Sequence, residues 1–300
     1  MHPATEVYCH ALIDGNLQTV KHCIKENHNH YANHYGMVTS AKYGHLSILK
    51  YFIEEKKCDP TYENNKAFIS CAENGHIEIA KYLVEAGCDP KVENHRALRE
   101  AIQRGHSKLF EYLVSFNKKL DGLRHQEVFF LAIKGGSVEI VKYFANVMYI
   151  NEEIGSSAWS RSIDKGNVEI VKYLCSLGFA REVLYPGKGF YTYLDKAAES
   201  GKYEVVKFLV SLGYDCAGHK YFALHQSYHQ GFDKIFDCLF RNLTRKQRDH
   251  YISTNREYIG HKNKKNLQSE ILIKKYFKIK PFWEKILSPI SMHSQLMFIE

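Results

Sequence analysis

The residues of this chain best equipped for chemistry are its histidines, 17 in 300 residues. Imidazole ligates zinc, and two groupings invite that reading. His28, His30 and His34 lie close together, and His225 with His229 would share one face of a helix. A closed zinc site needs four ligands, often with cysteine among them. None of the eight cysteines (9, 23, 58, 71, 88, 175, 216, 238) forms a CxxC pair that would supply the rest. Lys188, in the run Pro186-Gly187-Lys188-Gly189-Phe190, has the Gly-Lys of a phosphate loop, but Glu182 stands where GxxxxGK needs its first glycine. HExxH, GxSxG and GxGxxG are absent. The expectation is a chain with no catalytic residue, no cofactor and no metal.

Two patterns concern recognition instead. Tyr51, Tyr82, Tyr112, Tyr143 and Tyr173 recur at a fixed position, and Phe208 continues the row. Such rings could stack nucleic-acid bases, but Glu78, Glu139 and Glu169 balance the neighbouring cations, so packing between helices is expected. The net charge of +8 is unevenly placed. Residues 1–240 carry 28 basic and 28 acidic side chains, whereas residues 241–300 carry 13 and 5. The basic stretch 241–285 is therefore the one candidate for nucleic acid. It has no zinc-finger, helix-turn-helix or RNP pattern, and a solvated basic cap is the expected reading.

The cysteines sit in small apolar slots, Cys58 and Cys88 both directly before Asp-Pro, as reduced thiols of a reducing compartment would. No apolar run approaches the roughly 18 residues of a membrane span. The opening MHPATEVYCH lacks the basic and apolar regions of a secretory signal. These points give an expected cytoplasmic location, with no membrane partner.

The elements that position these residues are repeats. Gly15, Gly44, Gly75, Gly105, Gly136, Gly166, Gly201 and Gly231 are separated by 29, 31, 30, 31, 30, 35 and 30 residues. Seven positions before each stands an apolar residue: Tyr8, Met37, Phe68, Leu98, Phe129, Trp159, Leu194 and Leu224. After each comes a helical stripe, best seen in Ile77, Ile79, Ala80, Leu83 and Val84. The glycine tolerates the positive φ of a tight helix-to-helix turn. This predicts eight helix-turn-helix units over residues 1–240, then a basic helical region over 241–300, a degenerate repeat or cap. Thr244 with Gln247 forms a candidate capping box for a helix through about Thr254. A further helix is expected over about 266–277.

The repeated segments NGHIEIAKYLVEAGCDP (74–90), HRALREAIQRGH (95–106) and KGNVEIVKYLCSLG (165–178) resemble the ankyrin-repeat family. They are most similar to the ankyrin proteins of Mimivirus-type giant DNA viruses. The resemblance covers about residues 5–240 and implies an all-α solenoid of stacked helix pairs that binds proteins without catalysis. The chain departs from the family pattern at the start of the inner helix, where Thr-Pro-Leu-His is reduced to Leu224-His225. Asn64 or Asn65, Asn94, and Ser156 or Ser157 are the expected substitute caps. The short period predicts short connecting fingers. His45, His76 and His106 fall in the family's Gly-His slot and belong to the repeat itself.

Carried onto this chain, the family's binding face falls on the pairs before the turn glycine: Lys42-Tyr43, Glu73-Asn74, Gln103-Arg104, Asp164-Lys165, Glu199-Ser200 and His229-Gln230. Their mixed charge suits a folded protein partner. The insertion at 179–193 adds Tyr185, Phe190 and Tyr191 as a candidate projecting loop, or as a cover over adjacent helices. LQSEILIKKYF (267–277) has the opening spacing of F-box segments, with Gln268 where proline is usual. The alternative function is thus a viral adaptor that recruits a host ubiquitin ligase. A monomer that binds a protein partner of unknown identity, from the host if the source is viral, is expected.

Overall fold

The computed structural model describes residues 3–26, 30–117, 122–180 and 192–254. Among them every regular element is helical. The chain divides into two compact units, Met1–Ile154 and Gly155–Glu300.

In the first unit, helices alternate between an inner and an outer layer. The inner layer is α1 (Pro3–Asp14), α3 (His30–Tyr43), α5 (Tyr62–Asn74), α7 (Val92–Arg104) and α9 (His125–Gly135), stacked in that order. The outer layer is α2 (Leu17–Glu26), α4 (Leu46–Lys50), α6 (Ile77–Glu85), α8 (Ser107–Val114) and α10 (Val138–Val147). The second unit repeats the scheme. Its inner helices are α11 (Glu152–Lys165, whose first turn precedes the boundary), α13 (Tyr193–Glu199) and α15 (Gly218–His229). Its outer helices are α12 (Val168–Ser176), α14 (Tyr203–Ser211) and α16 (Asp233–Arg241).

The apolar slot seven positions before the turn glycine supplies the core. Met37, Phe68, Phe129, Trp159 and Leu224 are wholly buried, and Tyr8, Leu98 and Leu194 nearly so. Each outer helix after α2 adds a buried pair one turn in, such as Ile79 with Ala80 and Val205 with Val206. The eight turn glycines have φ between 69° and 87°, the left-handed region that side chains resist.

In six of the eight repeats the residue after the turn glycine does one of two things, while Lys202 and Phe232 make no cap and lie over Gly166 and Gly201. In three repeats it is histidine, and the ring lies on the preceding repeat. The Nε2 atoms of His45, His76 and His106 donate to the carbonyls of Ile13 (2.7 Å), Lys42 (2.9 Å) and Glu73 (3.1 Å). The same rings cover the preceding glycine so closely that a Cβ on Gly75 would fall 2.7 Å from His106 Nδ1. In the other three the slot caps its own outer helix. Asn16, Ser137 and Asn167 accept from the backbone N–H of Thr19 (3.0 Å), Ile140 (3.3 Å) and Ile170 (3.2 Å). The tyrosine row lies on the outer helices. Tyr51 is buried and the others are half-buried, with Phe110 and Tyr143 edge to face at 5.0 Å.

One outer helix is irregular. Gly44 to Cys58 holds one residue more than Gly75 to Cys88. The extra residue is absorbed by a π-helical stretch, Tyr51–Glu55, that continues α4. Lys57 then adopts φ 55°, in the place that Gly87 takes in the next repeat.

The expected caps of the inner helices are corrected. Three repeats enter the inner helix through a one-turn left-handed segment: Glu63-Asn64-Asn65, Glu93-Asn94-His95 and His219-Lys220-Tyr221, with φ between 46° and 63°. Asn64, Asn65 and Asn94 belong to this turn and make no cap, because their backbone is not extended. An aspartate anchors each entry: Asp59, Asp89 and Asp215 accept from the backbone N–H two residues on, at 2.9, 2.8 and 2.9 Å. Ser156 and Ser157 lie inside α11, which starts earlier and is capped by Asn151 accepting from Ile154 N at 2.9 Å.

After the last repeat, Thr244 and Gln247 form a capping box (Gln247 Oε1 accepts from Thr244 N at 2.8 Å) that opens α17 (Arg245–Thr254). Tyr251 and Ile252 of α17 are buried, and Tyr251 meets Tyr221, His225, Phe236 and Phe240. The helix expected at 266–277 lies outside the described residues.

Candidate functional site

The first unit holds a cleft of about 360 Å³ where α3 lies beside α1 and α5. Its α3 wall is His34, Tyr35, Val38, Thr39, Lys42 and Tyr43; Tyr62, Glu63, Lys66, Ser70 and Glu73 form the facing wall, and Ile13 closes one end. The wall on α3 follows from helical spacing, since Tyr35, Thr39 and Lys42 recur at i, i+4 and i+7. The rings of His34 and Tyr62 stand 4.2 Å apart, tilted by 34°. Tyr35 and Tyr43 are exposed, at 47% and 39%. Partial burial, then the neighbouring Cys9, raises the Tyr35 phenol above its ordinary range.

The charges of the cleft differ in what they do. Glu63 and Lys66 pair with each other, and the hydrogen bond from Lys66 is the main reason that Glu63 titrates low. The Lys42 ammonium lies 5.2 Å from the centre of the Tyr43 ring and has no carboxylate partner among the described residues. The Glu73 backbone carbonyl receives His106, and its carboxylate acts on the nearby Arg96 without forming a close ion pair (4 Å) among the described residues. Three residues named from the sequence, Lys42, Tyr43 and Glu73, therefore line one cavity. The remaining wall was missed, although the α3 spacing just given was a usable signal. His34 drew notice only as a metal candidate.

The other named residues are placed as follows. Asn74 is exposed and its amide donates to Ser70 O at 2.8 Å. Arg104 is exposed and Gln103 half-buried at the end of α7. In the second unit Lys165, Glu199, Ser200, His229 and Gln230 are exposed. Asp164 is already engaged, 2.9 Å from Lys196 Nζ, which also donates to Ser160 Oγ at 2.7 Å. Tyr185, Phe190 and Tyr191 lie outside the described residues, as does the 267–277 segment.

A second polar cluster went unnoticed in the sequence. Asp195, 2% exposed, accepts from Thr192 N (2.8 Å) and Thr192 Oγ1 (2.9 Å) in a capping box, with His219 Nδ1 at 3.5 Å. Its signal was the Thr-x-x-Asp spacing. Burial raises its pKa, and the Thr192 bonds and His219 oppose that shift.

No group of three or more potential ligands gathers among the described residues. All eight cysteines are free, and burial pushes the Cys58 thiol up to about 11 and those of Cys88 and Cys216 to about 12. Such thiols are protonated and poor nucleophiles at neutral pH. No helix among the described residues is long and apolar enough to cross a membrane.

Stacked helix pairs, joined by left-handed glycine turns and tied by histidines across repeats, define a repeat protein with a polar edge at its inner-helix ends. The chain belongs to the ankyrin repeat family: the model of three ankyrin repeats matches residues 8–94 and again 98–183. Among solved structures it is similar to the human ASB11 ankyrin repeat domain, at 17% identity over 69% of this chain and 83% of that one, with a TM-score of 0.33. No curated protein matches the chain.

Proposed function

We propose that this chain is a non-catalytic scaffold that binds a partner protein through the ends of its inner helices. The observation that carries the reading is the cleft in which Lys42, Tyr43 and Glu73 converge, with two charges outside any close ion pair beside exposed rings. A folded core satisfies its charges; a surface that leaves them outside close pairs over aromatic area has the composition of a binding patch. Helices hold these side chains in place before a partner arrives, which lowers the entropy lost on association. The proposed contact set extends to Asn74, Gln103, Arg104, Asp164, Lys165, Glu199, His229 and Gln230, and to Tyr185, Phe190 and Tyr191 of the insertion.

The likeness to giant-virus repeats makes a host protein in the cytoplasm the partner class to test first. For the basic stretch 241–285 the proposed role is a cap, of which α17 is the described part. The adaptor version rests on the 267–277 spacing alone. A photo-crosslinking residue at Asn74, compared with one at Lys142 on the outer layer, tests the scaffold reading. A protein crosslinked from position 74 and not from 142 is expected; equal crosslinking, or none from 74, would overturn it. Removing residues 241–300 should leave that partner in place, whereas loss of a ligase subunit with the truncation would favour the adaptor.

A further inference from the structure

The charges of the cleft that lie outside close ion pairs are spaced in a way that specifies what enters it. Lys42 and Glu73 occupy the same position, two before the turn glycine, in consecutive repeats. Their helices α3 and α5 pack directly on each other. Packed helix axes lie about 8–10 Å apart, so the two charges stand about that distance along the repeat axis. The same cleft is lined by the rings of His34, Tyr35, Tyr43 and Tyr62 and by the apolar side chains of Val38 and Ile13. Only three backbone geometries compete to span that gap. A β-strand presents side chains to one face at about 7 or 13 Å, and neither fits. An α-helix reaches about 10 Å only at i and i+7, so it would meet both charges only by lying two full turns along the repeat axis. A polyproline-II segment returns to the same face every third residue, after about 9 Å, and is the form that aromatic-lined grooves accept.

Resting on the protein-binding reading, we propose that the cleft takes an extended, polyproline-II-type peptide segment whose acidic residue meets Lys42 and whose arginine, three positions away, meets Glu73. Arginine suits the second place because its planar guanidinium both forks onto a carboxylate and stacks on the tyrosine and histidine faces. The cation already resting on the Tyr43 ring shows that these faces hold positive charge.

The test uses the full chain and fluorescein-labelled proline-rich peptides, with Glu and Arg three positions apart or, at the same composition, adjacent. Saturable anisotropy is expected for the first, and binding at least about tenfold weaker for the second. Lys42→Glu or Glu73→Lys should each weaken the first peptide about tenfold, and the double variant should prefer a peptide with Glu and Arg interchanged. Circular dichroism melts of the variants should match the parent, because neither side chain is in the core. No saturable binding, or binding indifferent to spacing and to both residues, overturns the proposal. If those peptides fail while crosslinking from position 74 succeeds, the scaffold reading stands and this specificity does not.

Discussion

Gly75→Ala offers the sharpest check on how one repeat is fitted to the next. Two separate costs are predicted. The first is conformational: Gly75 has φ 80°, and a residue with a Cβ loses about 1–2 kcal/mol there. The second is steric. The new Cβ would lie 2.7 Å from His106 Nδ1 and 2.9 Å from its Cε1, and forcing a methyl into a packed site costs about 1–3 kcal/mol. Gly87→Ala isolates the first cost, since φ is 104° and no atom lies within 4 Å of a Cβ built there. His106→Ala removes the obstacle, at a cost of about 1 kcal/mol or more for the bond to Glu73 O and the packing of the ring. The double variant Gly75→Ala/His106→Ala should then be less destabilised than the sum of its parts, by about 1–2 kcal/mol. Urea unfolding followed by circular dichroism gives each value by linear extrapolation. Additivity within about 0.5 kcal/mol would show that ring and glycine do not share the space, and the account of the Gly-His slot would fail.

Other consequences are as direct. Lys57 is exposed and carries a left-handed φ of 55° in the place where the next repeat has Gly87, so Lys57→Gly should stabilise the first unit by about 1 kcal/mol. A melting temperature unchanged or lowered would contradict that. His225 is half-buried against Tyr251, and burial, then the charge of His229, holds its pKa below the ordinary value of 6.5. Below that value the unfolded chain takes up a proton that the folded chain refuses. Stability is therefore lost as pH falls from about 6.5 toward the folded value, and His225→Gln should flatten that part of the curve. Equal slopes for parent and variant between about pH 7 and 5 would remove His225 as the cause.

The repeat frame was legible because its signals are local and recur. Each turn glycine, each apolar residue seven before it and the Thr244–Gln247 box states its structure within a few residues. The cap signals at Asn64 and Asn94 misled for a physical reason. An asparagine that can cap a helix also tolerates the left-handed region, and only the backbone decides which property is used. The π-helical turn was visible as a one-residue surplus between Gly44 and Cys58, but a count does not say where the surplus is absorbed. Three of the twelve cleft residues, Lys42, Tyr43 and Glu73, could be read from their family position, and the rest of the α3 wall follows from helical spacing. The facing start of α5, including Tyr62, depends on where the left-handed turn aims it, which no short pattern in the sequence encodes.

Those left-handed turns raise an energetic question that the repeats answer differently. Three successive residues with positive φ cost about 1–2 kcal/mol each, somewhat less for asparagine, so something must offset them. The third residue of each turn is buried and reaches toward the following connection. His95 Nε2 accepts from Asn117 Nδ2 at 3.1 Å, and the Tyr221 hydroxyl donates to Gln247 O at 3.1 Å. Asn65, 7% exposed like His95 at 8%, has the same backbone, yet its Oδ1 is buried without a hydrogen-bond partner. Comparing the two positions cancels the conformational term and leaves the bond. His95→Ala removes the bond to Asn117 and should cost about 0.5–1.5 kcal/mol for that bond. Asn65→Ala breaks no such bond and removes an acceptor whose burial is already a cost, so it should be close to neutral. Urea titrations of the two single variants measure the difference. If both cost the same, the inter-repeat bond is not what compensates the turn, and the strain must be carried by the packing of the third side chain alone.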